Sequence, residues 1–334
     1  MKVLVTGGAG YIGSITAKAL EAAGHTPVVL DSLLTGPKAF VRDRAFYEGD
    51  IGDRALLRRI VAEHPDLDAT IHMAARIVVP ESVEQPYEYY KDNVAKSLEL
   101  FDELDALGKP RVLFSSSASL YALKDDFEVT ETDALAPNSP YARTKRMMEE
   151  VLQDMAAATD LRAIILRYFN PIGSDPDLES GIYAREPSHV LGQLVMAARG
   201  QKDAFTITGT DLPTRDGTGI RDYIHVWDLA RAHVRALERF DDVLATVDAP
   251  SVIINVGTGE GVTVRELVAA FERVFGKDVP VREAEPRPGD AVGAFANVDR
   301  SRELLDWRTE LSLEDAIASA LAWGEKRQEI LGYE

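Results

Sequence analysis

Met1-Lys2-Val3-Leu4-Val5-Thr6-Gly7-Gly8-Ala9-Gly10-Tyr11-Ile12-Gly13 opens the chain. Its first six residues are a short, β-branched-rich run of the kind that forms a buried parallel strand. The run breaks into Gly8-x-Gly10-x-x-Gly13, equally readable as Gly7-x-x-Gly10-x-x-Gly13, and then enters an apolar, alanine-rich stretch from Ile12 to Ala23. Glycines permit a tight turn, let a pyrophosphate approach the backbone and let the helix pack close on the strand. The helix N-terminus then offers free N–H groups and partial positive charge to phosphate. A second strand, Thr26 to Leu30, ends in Asp31. A carboxylate there accepts from the ribose hydroxyls of a bound adenosine dinucleotide and repels a 2′-phosphate, which favours NAD over NADP. A glycine-rich turn alone is weak evidence. The strand before it, the helix after it and the acidic strand end give it weight.

Working outward, strands and helices alternate from Lys2 to about Arg167. Arg44 to Tyr47 is a strand candidate leading to Glu48-Gly49-Asp50-Ile51. Asp53 is placed to cap a helix reaching about Glu63, with Pro65 to stop it. Leu67 to Met73 is the next strand, ending at Ala74-Ala75. One long helix is expected from near Gln85 to Leu107, closed by Gly108 and Pro110. Arg111 to Ser115 and Leu161 to Arg167 read as further strands. Such alternation predicts an α/β fold, a doubly wound parallel sheet of the Rossmann type, whose ligands bind beyond the carboxyl ends of its strands. After Pro171 the rhythm loosens into loops rich in Gly, Pro and Asp. An NAD-binding domain is therefore expected over 1–172, and a smaller C-terminal α/β substrate lobe over 173–220 and 257–334. The segment 221–256, with the strand-like Val252 to Val256, is expected to return to the first domain.

Composition narrows the function classes. The 334 residues include 55 acidic and 37 basic side chains, for a net charge of -18. A surface that negative is a poor partner for nucleic acid or anionic membrane. Cysteine is absent, which excludes disulfides, cysteine nucleophiles and thiolate metal sites and fits a cytoplasmic location. No apolar run approaches about 18 residues, so no transmembrane helix is expected. Glycines interrupt the first residues, which read as strand and phosphate loop, not as a signal peptide.

Tyr-x-x-x-Lys occurs twice, at Tyr87/Lys91 and Tyr141/Lys145, and context separates the two. Ser139 can cap a helix with Pro140 in its first turn, so Tyr141 and Lys145 fall on one face a single turn apart. The hydroxyl-rich strand end Ser115-Ser116-Ser117 precedes them. No such strand end precedes Tyr87, which reads as packing beside a solvated lysine. A free tyrosine, with a pKa of roughly 10, is too weak a base near neutrality. One positive charge at about 5 Å, with an effective dielectric of about 20, favours phenolate by roughly 3 kcal/mol, or about two pKa units. Lys145 can supply that charge and a nicotinium ring can add to it. Tyr141 would then remove a hydroxyl proton as hydride leaves the same carbon, with Ser117 holding the oxygen. No metal is required.

Further motifs run along nearly the whole chain in order: Ile71-His72-Met73-Ala74-Ala75, Pro80-Glu81-Ser82-Val83, Asp92-Asn93-Val94, FSSSASLY at 114–121, SPYARTK at 139–145, Leu166-Arg167-Tyr168-Phe169-Asn170-Pro171, and Asp216 through Val226. With TGGAGYIG and Glu48-Gly49-Asp50-Ile51, the set resembles the extended short-chain dehydrogenase/reductase superfamily and, within it, the UDP-glucose (UDP-galactose) 4-epimerases. The resemblance implies that NAD stays bound, oxidises C4 of a UDP-sugar to a ketone and returns the hydride to the opposite face. It implies catalytic roles for Ser117, Tyr141 and Lys145. Cofactor contacts are implied for Gly7, Gly10, Tyr11, Ile12, Gly13, Asp31, Ser32, Asp50 and Ile51, and for Ala74, Ala75, Asn93, Ser115, Tyr141, Lys145 and Tyr168. On the substrate side it implies Asn170 beside the diphosphate, Arg221 and Arg287 clamping the phosphates and Asp290 on the uridine ribose. Ser117, Phe169, His189, Tyr223 and Ala294 are implied to line the remainder. Relatives usually pair as homodimers through helices like those at 86–107 and 140–159.

Three positions depart from that pattern. Ile77 stands where many relatives carry lysine, with Arg76 adjacent as a substitute, and Ala122 replaces a usual glycine. Ala294 stands where some relatives have a bulky tyrosine, which implies room for a 2-acetamido group and turnover of UDP-GlcNAc and UDP-GalNAc. Alternative readings are a 4-epimerase of UDP-glucuronate or UDP-xylose and a non-catalytic NAD-binding sensor. A 4,6-dehydratase is disfavoured, because such relatives use an acidic pair in place of Ala118-Ser119.

Overall fold

The computed structural model describes residues 1–285 and 292–332. Five strands come first: β1 (Lys2–Thr6), β2 (Thr26–Asp31), β3 (Ala45–Glu48), β4 (Leu67–His72) and β5 (Arg111–Ser117). The short β6 (Glu128–Val129) leaves for a smaller sheet and β7 (Arg162–Tyr168) returns. Next come β8 (Asn170–Ile172), β9 (Phe205–Thr208), β10 (Ile220–Arg221), β11 (Tyr223–His225) and β12 (Ser251–Val256). The strands end with β13 (Val262–Thr263), β14 (Val281–Ala284) and β15 (Gly293–Ala296). Among the described residues the central sheet runs β3-β2-β1-β4-β5-β7-β12, every pair parallel. The order reverses between β1 and β4. That switch point opens the crevice in which ligands of such sheets bind.

Helices cover both faces of the sheet. They are α1 (Tyr11–Ala22), α2 (Arg54–Glu63), α3 (Val79–Glu84), α4 (Pro86–Tyr90), α5 (Lys96–Ala106), α6 (Pro140–Ala158) and α7 (Val190–Ala198), then α8 (Val226–Glu238), α9 (Phe240–Val247), α10 (Val264–Phe275), α11 (Asp299–Leu305) and α12 (Leu313–Leu331). Alternate side chains of β1 explain the layering: Val3 and Val5 join the core under α1 and α8, and Leu4 joins the opposite core under α2, α5 and α6. A third core, with Leu191, Leu194, Phe271 and Ile317, belongs to the C-terminal elements. No helix among the described residues is long and apolar enough to cross a membrane.

One expected element is different. The long helix from Gln85 to Leu107 is α4, a π-helical turn over Lys91–Ala95, and α5. Hydrophobic spacing does not reveal a π turn, because the helix continues on either side of it. The wider turn carries Asp92 and Asn93, both of which bind Arg76 in the loop after β4.

Candidate active site

Gly7 leaves β1 with φ +71°. A side chain there would place its Cβ 2.7 Å from the Ala74 nitrogen, and one at Gly13 would overlap the Gly7 carbonyl oxygen. The β1 turn, the end of β4 and the start of α1 thus meet only as bare backbone. Gly10 is the N-cap of α1 and brings no side chain over the first turn, so the helix end can receive a phosphate. This cradle fits the pyrophosphate of a dinucleotide. Asp31 ties the turn down: its carboxylate accepts from the Ala9 N–H at 2.9 Å and the Leu33 N–H at 2.8 Å. Burial raises the Asp31 pKa and those two bonds oppose the shift. Each oxygen keeps a lone pair for a further donor.

The neighbouring expected contacts fall along the same sheet edge. Ser32 follows Asp31 and is exposed, Ile12 packs on the core under α1, and Ile51 is buried with Leu56 and Leu57. Asp50 accepts from Lys96 Nζ at 2.5 Å, and Tyr11 donates from its hydroxyl to the Gly173 carbonyl at 2.7 Å. Ala74 and Ala75 follow β4. Asn93 spends most of its amide on the protein. Its oxygen accepts from the Arg76 N–H at 2.8 Å, and its nitrogen donates to the Arg76 carbonyl and to Thr144 Oγ1. It fastens the loop after β4 to α6, with one oxygen lone pair left over. Arg76 does not stand in for a lysine at 77. Its guanidinium is engaged by Asp92 at 2.6 Å and Glu81 at 3.1 Å, and Ile77 is 62% exposed.

Ser139 caps α6 by accepting from the Ala142 N–H at 3.1 Å, with Pro140 in the first turn, as the sequence predicts. The cap brings Tyr141 to Ser117, with which its hydroxyl is hydrogen-bonded. Lys145 Nζ donates to the Ser115 carbonyl at 2.7 Å and lies 4.9 Å over the Phe114 ring. The Tyr168 hydroxyl meets the Ser115 hydroxyl. Burial holds the Tyr141 pKa above its ordinary value, opposed by the Ser117 bond, and pushes Lys145 down to about 7, opposed by Glu149. In the protein alone desolvation is the largest influence on Tyr141. Tyr87, by contrast, is 72% exposed with Lys91 over its ring, the surface pair expected of it.

The residues expected on the substrate side lie on elements after β7. Asn170 pairs with Tyr223 across β8 and β11, and its N–H donates to the Asp222 carbonyl at 3.0 Å. Arg221 pairs with Ala294 across β10 and β15 and donates to the Ile220 and Val292 carbonyls. Phe169 stacks on Tyr121, and Ala294 packs on the same small cluster. His189 caps α7 by accepting from the Gly192 N–H at 3.2 Å, and burial lowers its pKa to about 4. Burial raises the Tyr223 pKa to about 12. Arg287 and Asp290 lie outside the described residues.

Two groups that the motif reading left without a role organise this site. Buried Asp222 accepts from the N–H groups of Thr258, Gly259 and Ala296 and from the Thr258 hydroxyl. Buried Glu149 accepts from Arg167 at 2.8 and 2.6 Å and from Ser116 Oγ at 2.5 Å. A charged residue inside the apolar strand Ile164-Ile165-Leu166-Arg167 was the available signal.

The parallel sheet and its glycine cradle define a nucleotide-binding α/β enzyme. The sequence pattern of the NAD dependent epimerase/dehydratase family matches residues 3–257, and the chain belongs to that family. Among curated proteins it is 41% identical over 324 residues to UDP-glucose 4-epimerase of Rhizobium leguminosarum bv. trifolii, covering 97% of each chain. Among solved structures it is similar to UDP-glucose-4-epimerase from Stenotrophomonas maltophila with bound NAD and formylated UDP-arabinopyranose. That match has a TM-score of 0.93 and 36% identity and covers 98% of this chain and 99% of that one. The Brucella ovis UDP-glucose 4-epimerase in complex with NAD gives a TM-score of 0.90 at 41% identity, over 96% of this chain and 97% of that one.

Proposed function

We propose that this protein interconverts UDP-galactose and UDP-glucose. The reading is carried by the convergence of Ser117, Tyr141 and Lys145 beside the glycine cradle, in a chain similar over its whole length to UDP-glucose 4-epimerases. NAD, when bound, supplies a hydride acceptor at the sugar C4 and a positive ring charge beside the phenol. Ser117 orients the C4 oxygen by hydrogen bonding. Tyr141 takes the hydroxyl proton and later returns it, so its phenolate must be accessible near neutrality. Lys145 places an ammonium one turn from Tyr141, where a positive charge favours phenolate. Gly7, Gly10 and Gly13 receive the pyrophosphate and Asp31 the adenosine ribose. Asn170, His189 and Arg221 are assigned to the substrate side, and Arg287 and Asp290 are assigned there by the resemblance alone. Residues 1–172 with 221–256 carry the cofactor half of this work, and 173–220 with 257–334 the substrate half.

Ala294 presents only a methyl group where it packs near Phe169, which supports acceptance of N-acetylated UDP-hexoses as well. The working assembly is a cytoplasmic homodimer paired through α4, α5 and α6, a reading supported by the exposure of Tyr87, Leu98 and Met147 on those helices. Purified protein assayed without added NAD is expected to convert UDP-galactose to UDP-glucose and, in parallel, UDP-GlcNAc to UDP-GalNAc. Tyr141→Phe should lower kcat by about 100-fold or more. Activity with neither sugar, or full activity in Tyr141→Phe, would overturn the reading.

A further inference from the structure

Lys145 is useful to Tyr141 only while it carries its proton, and its surroundings work against that. It is buried, and its one hydrogen bond among the described residues goes to the neutral Ser115 carbonyl. The charged and titratable groups around it come from three elements. Tyr141 and Glu149 share α6, His72 faces it from β4, and Tyr168 and Arg167 lie on β7, where Arg167 pairs with Ser116, the residue after the Ser115 carbonyl that Lys145 binds. His72 is neutral: it bridges Thr6 and Ser97 hydroxyls, and burial pushes its pKa down to about 3. Arg167 is the threat. Its side chain is 1% exposed and donates to Glu149 on the same helix. Two buried cations tied to one helix raise each other's cost, and of the two only lysine readily gives up a proton.

Glu149 is the only carboxylate among the described residues that reaches Arg167. It follows Lys145 by one turn of α6, a spacing that brings side chains to about 5–6 Å of each other. Its two oxygens each accept from Arg167, and Ser116 Oγ fixes the carboxylate orientation. Arg167 reaches onward to the Tyr121 hydroxyl at 3.0 Å, which donates to Asn255 at 2.6 Å, so the guanidinium is held from both sides. We propose that Glu149 is a positioning residue for the reaction: by neutralising Arg167 in a buried bidentate pair, it leaves Lys145 as the one uncompensated cation beside Tyr141. This rests on the reading of Tyr141 as the base.

The consequence has a sign. With glutamine at 149 Lys145 loses the carboxylate that favours its charged form and faces an unpaired Arg167, so its proton leaves and Tyr141 loses the cation one helical turn away. Tyr141 then ionises at higher pH. In the NAD-containing protein, Glu149→Gln should move the tyrosinate absorbance midpoint of Tyr141 upward by about one pH unit, the signal being assigned by subtracting a Tyr141→Phe partner. The acid limb of kcat should move with it, with about a tenfold loss near neutrality that is recovered at higher pH, and KM should stay within about twofold. The double variant Glu149→Gln/Arg167→Met removes both charges, and a buried pair is often replaceable by apolar groups. Its midpoint should return to within about half a pH unit of the unmodified protein. A purely structural pair predicts no return. An unchanged midpoint in Glu149→Gln, or a double variant displaced as far as the single one, overturns the proposal. If Glu149→Gln does not fold, the double variant decides alone: displacement beyond about one pH unit sinks the idea. Should no UDP-sugar be turned over, the functional reading fails, and the absorbance titration still reports whether Glu149 acts on Tyr141.

Discussion

Asp222 shows what one side chain contributes at the scale of a residue. Its carboxylate is buried and gathers four donors from Thr258, Gly259 and Ala296, so two separate stretches of chain end on its two oxygens. Burial raises its pKa, and the bonds from Thr258, Ala296 and Gly259 oppose the shift. Gly257 must be glycine beside it, because a Cβ there would stand on the carboxylate and 2.8 Å from the Ala296 side chain. Asp222→Asn would turn an N–H₂ group toward donors that need an acceptor. The expected cost is about 2–3 kcal/mol, read as a lower urea midpoint with the slope unchanged. A midpoint equal to that of the parent protein would show that water or a shifted rotamer satisfies those donors. Much of the site was legible in sequence at this scale, because glycine turns, the Tyr141/Lys145 spacing and the Ser139 cap are local. Asp222, Glu149 and the anchoring bonds of Asn93 were not, since the partners lie far along the chain and only the fold brings them together.

Helices and strands with local signals appear where the sequence puts them, to within about two residues. Asp53 caps α2 through the Leu56 N–H, β12 pairs with β7, and α6 starts at its proline. The π turn at Lys91–Ala95 is the exception, and it is tied to the loop after β4. That turn directs Asp92 to the Arg76 guanidinium and Asn93 to the Arg76 backbone, while Lys96 bridges Asp92 and Asp50. The loop carries the exposed Ile77, Val78 and Val79, which give it little apolar anchorage of their own. Asn93→Ala should therefore free the loop without disturbing the sheet. Native-state hydrogen exchange at the Arg76 amide is expected to quicken by about tenfold or more, while the amides of β4 keep their protection. Equal acceleration in β4 would mean that the substitution loosens the whole domain, and the anchoring argument would fail.

At the scale of the whole molecule, burial of histidine sets a pH response that no single element shows. Of the six histidines, three are buried and His189 is half-buried, and desolvation depresses His72 to about 3 and His189, His225 and His233 each to about 4. They sit in different places, under the nucleotide loop, at the α7 cap, at the α8 cap and against Tyr168. Nothing in sequence distinguishes them from surface histidines, because burial is a property of the finished fold. Each has a folded pKa below its unfolded value of about 6.5, so the unfolded chain binds the proton first. Their contribution is present above about pH 6.5 and is lost as pH falls toward 4. The slope is up to about 1.4 kcal/mol per pH unit for each histidine. Asp31, Asp222 and Asp228, whose pKa values burial raises, act in the opposite sense and soften the decline. With NAD saturating at every pH, the urea midpoint should fall steeply from pH 7 to pH 5, and unfolding at pH 5 should take up more than one proton per molecule. A midpoint that is flat over that interval would mean that these histidines are solvated or paired in the folded protein, and the argument from their desolvation would fail.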